Sequence, residues 1–186
     1  MTREAEVREA FPAVDRIEDD ALHEGVIGAW TVALEDTGWT LSDVPWFPPL
    51  QDPAGLDDER LVPHVNEVVA TAEAMADALV ERRGDRLSLS RDLLLAGALV
   101  HDVSKLYEFD ASGATAVFDL FGHPLYGIYP AARAGLPPEV VQVVVSHTPR
   151  TGVEPATMEA ELVCRADQAA AAAVRSRGVD DLRDPV

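Results

Sequence analysis

A chain of 186 residues has the length of one domain and can bury enough surface to hold a core without disulfide staples. At 47% hydrophobic and 26% charged residues its composition excludes a disordered or fibrous protein, and its longest apolar run, LLLAGALV, is far too short for a membrane-spanning helix. The formal charge of −18 opposes long nucleic acids and anionic membranes at long range, so an anionic substrate has to be met by metal ions or a few placed basic residues.

From the N-terminus, MTREAEVREAF is charged and lacks the apolar stretch of a secretory signal, which makes the cytoplasm the expected location. Ile17, Leu22, Val26, Trp30 and Leu34 recur at three- to five-residue steps and predict a helix over about 13–37, ended by Gly38. Five prolines from Pro45 to Pro63 then forbid a long helix, so 38–63 is expected to be an irregular excursion. Its Trp39, Trp46 and Phe47 are expected to pack onto the body, a lid over a site being the lesser reading. Val65, Val68, Val69, Ala72, Met75, Ala76 and Leu79 mark an amphipathic helix over 61–83, stopped by Gly84. Ser90 can cap the next helix, 91–107, whose first half is apolar on every side and therefore central.

Two β-type runs in YEFDASGATAVFD flank Ser112-Gly113 and supply the only strand signal, a short β-hairpin near 106–118. Helical stretches follow at about 123–134, at about 138–147 behind Pro137-Pro138, and at about 156–177, ending at Gly178. Cys164, the single cysteine, excludes an internal disulfide framework or a zinc knuckle and reads as a small core residue. The polar tail over 179–186 is expected to fray. The fold class is all-α. A single domain over 1–186 is expected, with N-terminal helices and the excursion in 1–60 packed on a core at 60–178.

The chemistry-bearing residues gather at predicted helix ends. His64 follows Pro63, His101-Asp102 follows the eight apolar residues of the central helix, His123 follows Gly122, and His147 precedes Pro149. Asp167 interrupts the apolar stripe of the last helix. Any one of these histidines alone reads as a cap or a satisfied polar group. Two carboxylates expected in a core need partners or a cation to offset desolvation, and with four imidazoles nearby they read as a metal cage. His23 lies outside this pattern and is assigned no chemistry.

The order His64, His101-Asp102, Asp167 resembles the H…HD…D signature of the HD-domain superfamily of metal-dependent phosphohydrolases. HDVSK stands where many members read HD-x-G-K, with Ser104 in place of the common glycine. His123 and His147 match the extra histidines of the six-ligand, two-metal members, and the passages GHPLYGIYPAARAGLPPEVVQVVVSH and AELVCRADQ are similar to uncharacterised bacterial and archaeal ones. The resemblance covers about residues 60–170 and implies the HD-domain helical bundle. It implies that His64, His101, Asp102 and Asp167 bind a first divalent ion. Asp102 would bridge to a second ion held also by His123 and His147. One or two ions of Fe, Mn, Zn or Ni suit such ligands.

The activity implied is hydrolysis of a small phosphorylated metabolite, a nucleotide or sugar phosphate, by a metal-bridging hydroxide. Asp102 and Lys105 would be the catalytic residues, and Lys105 and Arg150 would bind the substrate phosphate, Lys105 being the chain's only lysine. The alternative is a di-iron oxygenase of the kind that includes myo-inositol oxygenase, and a regulatory module with structural metals is a third reading. The GYP motif of the cyclic-dinucleotide hydrolases is not present. The partner implied is a small anionic substrate, with no long nucleic acid and no membrane; the oligomeric state is left open.

Overall fold

Thr2 opens the first helix, α1 (Arg3–Ala10), by accepting the Ala5 amide at 3.2 Å in a computed structural model that describes residues 2–183. The helix expected from residue 13 starts later. Pro12–Arg16 winds as a 3₁₀ turn, Ile17 is extended, and Asp19 caps α2 (Asp20–Thr37) by accepting the Leu22 amide at 2.9 Å. Ile17 and Leu22 are five residues apart, a step that one helical face does not accommodate. α2 ends as expected on Gly38, whose φ of 76° is the left-handed conformation that glycine adopts without strain.

The proline-rich excursion contains a short helix that its prolines conceal, α3 (Pro48–Ala54). Pro48 and Pro49 occupy its first turn, where a missing N–H costs no hydrogen bond. The excursion is pinned at both ends. Pro45 pairs with Arg60 in an isolated β-bridge, and the side-chain amide of Gln51, buried at 2% exposure, donates to the carbonyls of Leu56 and Glu59 at 2.9 and 3.0 Å. Arg177, just beyond the last helix, forms ion pairs with Asp58 and Glu59.

α4 (Leu61–Arg83) matches its expected bounds, and Ser90 caps α5 (Arg91–Val100) through the Leu93 amide. α5 is the centre of the molecule: Leu94 to Val100 are all buried, and the helix packs against α2, α4 and two helices described below. Trp30 of α2 anchors it by donating its indole N–H to the Leu99 carbonyl at 2.9 Å. The α-helix does not continue to 107. It stops at Val100, and the chain resumes as a 3₁₀ turn over Val103–Tyr107, with Asp102 between them at φ −107°, ψ 9°. That bridge-region conformation is sparsely populated elsewhere and recurrent at functional sites.

The hairpin forms with Phe109–Asp110 against Gly113–Ala114, shorter than the expected span. Residues read as its second β-type run instead form α6 (Ala116–Leu120), capped by Thr115. The helix expected at 123–134 is broken at Gly127 into α7 (His123–Tyr126) and α8 (Ile128–Arg133). Pro130 removes the amide that would have bonded back across the break. A side chain at Gly127 would collide with Val144 and lie 3.1 Å from the Ser104 hydroxyl, so the break is also a close approach.

α9 (Pro138–Ser146) and α10 (Met158–Arg175) complete the bundle around α5, both near their expected limits. Gly97 is where α5 and α9 meet: a Cβ there would lie 2.8 Å from Val143. The architecture is all-α with one two-stranded hairpin among the described residues. No helix among them is long and apolar enough to cross a membrane. Of the tail expected to fray, 184–186 lie outside the described residues, whereas the Leu182 carbonyl accepts a 2.9 Å hydrogen bond from Arg175.

Candidate metal centre

The break after α5 turns His101 and Asp102 toward the neighbouring helices. His64 arrives from the first turn of α4, His123 from the start of α7, His147 from the end of α9, and Asp167 from the middle of α10. All six residues expected from the sequence meet at one place. Single ligand atoms of His64, His101, Asp102 and Asp167 lie within 4.8 Å of one another, and so do those of Asp102, His123 and His147. Asp102 belongs to both groups. Its Oδ2 faces His101 Nε2 at 3.4 Å and His64 Nε2 at 3.5 Å, while its Oδ1 faces His123 Nε2 at 3.2 Å and His147 Nε2 at 3.6 Å.

Hydrogen bonds behind the rings determine which nitrogens point inward. His101 Nδ1 donates to the Ala98 carbonyl and His147 Nδ1 to the Val144 carbonyl, each at 2.7 Å. A carbonyl only accepts, so these nitrogens carry protons, and in the neutral ring Nε2 presents a bare lone pair to the cluster. His123 is held by a residue that the sequence did not single out. Both carboxylate oxygens of Glu108 lie 3.2 Å from its Nδ1, and Oε1 also accepts its backbone amide at 2.7 Å. Glu108 follows the 3₁₀ turn in a segment that reads as a hairpin, and nothing local distinguishes it from a solvated acid; it is 1% exposed. Such a carboxylate behind a ligating imidazole is a recurrent support of metal sites. Ser104 contributes too, its hydroxyl donating to the His123 carbonyl at 2.5 Å.

The charges within the cluster follow from burial and proximity. Burial alone would raise the Asp102 pKa, yet Lys105 and the His101 and His123 rings hold it well below the usual carboxylate range. Burial also opposes ionisation of Asp167, but the His64 hydrogen bond and the nearby His147 and His101 rings hold it down at about 2. Burial pushes His147 down to about 3 and lowers His64 as well. At His101 burial is outweighed by Asp102, and its pKa is raised. Asp167 is not fully buried as the apolar stripe suggests: 17% of its side chain is exposed, opening onto a cavity.

A cation fits this arrangement better than the protein's own groups do. Among the described residues neither oxygen of Asp102 accepts a well-directed hydrogen bond, although Lys105 Nζ is 2.9 Å from Oδ2. The inward His101 Nε2 is also buried without a hydrogen-bond partner. His123 Nε2 faces His147 Nε2 at 3.3 Å, where two neutral rings protonated at Nδ1 would oppose lone pair to lone pair. Imidazole and carboxylate together suit a divalent transition ion.

Beside the cluster lies a cavity of about 590 Å³ whose wall includes Asp102, Lys105, His123, His147 and Asp167. Trp46 and Phe47 of the excursion form another side of it, so the expected packing onto the body also makes a wall of the site. Trp39 packs elsewhere, donating to the carbonyls of Leu106 and Phe109. Arg150 stands at the cavity with its guanidinium 4.9 Å from the Phe47 ring. His23 lies away from the cluster, against Arg8 and Asp15. Cys164 is buried on α10 and takes a contact from the Gln168 amide.

Comparison with known proteins agrees with this geometry. The family model of the HD domain matches residues 62–172, which include all six cluster residues. Dihydroneopterin 2′,3′-cyclic phosphate phosphodiesterase of Methanocaldococcus jannaschii is 32% identical over 114 residues, 59% of this chain and 45% of that protein. The chain therefore spans less than half the length of that curated relative. No solved structure matches it.

Proposed function

This chain belongs to the HD-domain family, and from that premise we propose that it is a metal-dependent phosphohydrolase acting on a small phosphorylated metabolite. The observation that carries the reading is the double allegiance of Asp102, whose two oxygens face separate histidine pairs at 3.2–3.6 Å. His64, His101, Asp102 and Asp167 would hold one ion and Asp102, His123 and His147 a second, with iron, manganese, zinc or nickel matching the donor set. Ions there would supply an activated water and polarise a phosphoryl oxygen. The rest is the work of the chain's own residues. The Ala98 and Val144 carbonyls and the Glu108 carboxylate hold three imidazoles with Nε2 inward. Lys105 and Arg150 receive the phosphate from the cavity, local positive charge that overcomes the −18 background. Trp46 and Phe47 exclude bulk water from one wall, which strengthens each of those interactions.

The relative named above is a phosphodiesterase, which favours hydrolysis over the oxygenase alternative. Nucleotides, cyclic phosphates and sugar phosphates are the substrates to try. A phosphate-release panel on manganese-loaded protein, run beside an oxygen electrode on iron-loaded protein, tests the reading: release of phosphate or opening of a cyclic ester supports it. Substrate-dependent oxygen uptake without either would refute it. In the same assay Lys105→Ala is expected to lower kcat/KM roughly 100- to 1000-fold, the scale of losing one charged transition-state contact, with bound metal unchanged. Loss of metal along with activity would make Lys105 a support of Asp102 instead.

A further inference from the structure

Lys105, Arg150 and Arg175 line the cavity, and a single aromatic ring touches the first two. Lys105 Nζ lies 5.6 Å from the centre of the Phe47 ring and 5.2 Å from that of Trp46, and the Arg150 guanidinium lies 4.9 Å from Phe47. The cations come from different parts of the chain, Lys105 from the 3₁₀ turn after α5 and Arg150 from the 3₁₀ turn after α9. Like charges brought together repel, and the negative face of an aromatic ring offsets part of that repulsion without neutralising either charge. Lys105 already pairs with Asp102 Oδ2 at 2.9 Å, and a further carboxylate in the ring's place would pair with Arg150 too and compete with an incoming anion. In a chain with 33 acidic residues, Arg150 forms no ion pair among the described residues; it rests on Phe47.

Phe47 is itself held from behind. Its backbone amide donates to the side-chain oxygen of buried Gln51 at 2.5 Å, two prolines follow it, and Phe118 meets it at 6.4 Å between ring centres. Trp46 and Phe47 both precede the segment matched by the HD family. Resting on the reading that the cavity receives a phosphoryl group, we propose that Phe47, with Trp46 beside it, is a positioning residue that holds Lys105 and Arg150 as a two-cation clamp on that group. The clamp would address two non-bridging oxygens of the phosphoryl group at once, one from each cation.

Calorimetric titration of inorganic phosphate into manganese-loaded protein tests the clamp on wild type, Phe47→Leu and Phe47→Tyr. Leucine keeps an apolar side chain of similar bulk without a ring face, and tyrosine keeps the face. Phosphate Kd is expected to rise roughly three- to tenfold in Phe47→Leu and to stay within about twofold in Phe47→Tyr, with metal content equal in all three. In an Arg150→Gln background the Phe47→Leu effect is expected to shrink, because one of the two cations held by the ring is gone. Equal phosphate binding by wild type and Phe47→Leu overturns the clamp, as does equal weakening by leucine and tyrosine. Wild-type protein that binds phosphate yet hydrolyses no ester refutes the hydrolase reading and leaves the clamp standing. Failure of wild type to bind phosphate at all overturns the clamp, while the hydrolase reading stands or falls on the release assay.

Discussion

Asp102→Ala is expected to strip the purified protein of bound transition metal and to lower kcat/KM for the best phosphate substrate at least about a thousandfold. The size follows from the Lewis-acid contribution, several kcal/mol of transition-state charge stabilisation, at about 1.4 kcal/mol for each tenfold in rate. Position explains why this residue outweighs the other five. Asp102 is the one side chain common to both ligand groups, so its removal takes a ligand from each. His64→Ala or His147→Ala removes a ligand from one group only and is expected to leave more metal behind. Elemental analysis and a circular dichroism spectrum on the same sample separate loss of metal from loss of fold. An Asp102→Ala protein that keeps its metal and its activity would show that the carboxylate does not join the two groups.

The second large effect is on stability. Protein stripped with a chelator is expected to gain about 5–10 °C in Tm on adding manganese, zinc, nickel or ferrous ion at about a hundred times Kd. Saturation to that degree is worth about 2.7 kcal/mol, and a domain of this length shifts by about 2–4 °C per kcal/mol. The physical source is the metal-free cluster itself, where the Asp102 carboxylate, 1% exposed, accepts no well-directed hydrogen bond and the inward His101 Nε2 has no hydrogen-bond partner. A cation relieves that burial in the folded state alone. Calcium is expected to give a much smaller shift, because it favours oxygen ligands over imidazole. Thermal unfolding followed by dye fluorescence, with and without excess chelator, measures this. Asp102→Ala is expected to show no shift with any of the four metals.

Much of the fold is legible in the sequence where one signal dominates. LLLAGALV can only be central, because no face of it is polar, and α4 reads cleanly because its apolar stripe runs uninterrupted to Gly84. The errors fall where local signals compete with tertiary contacts. Ile17 is apolar at nearly helical spacing, but Asp19 is the better cap and α2 begins there. Residues 116–118 have β-type composition, yet Thr115 caps a helix over them. The break at Gly127 reflects the approach of Val144 and Ser104, contacts that exist only once the bundle is assembled.

The six cluster residues are legible for a different reason. Histidines and acids beside strongly apolar helices are conspicuous, and their order along the chain matches the HD signature. Glu108 and Phe47 carry no such mark. One is an acid in an apparent hairpin and the other an aromatic residue among prolines, and each acquires its place only through partners 15 and 103 residues away, His123 and Arg150. Support of an imidazole and spacing of two cations are relations between segments, and a local sequence pattern does not record them.

The central claim, that these imidazoles and carboxylates hold divalent metal, is tested most directly by anomalous diffraction. Crystals of metal-saturated protein would be measured on both sides of the absorption edge of manganese, iron or zinc. An anomalous peak adjoining Asp102 and the inward Nε2 atoms of His101 or His147 is the expected result. A map without anomalous density at that position, with Lys105 Nζ still paired to Asp102, would contradict the account.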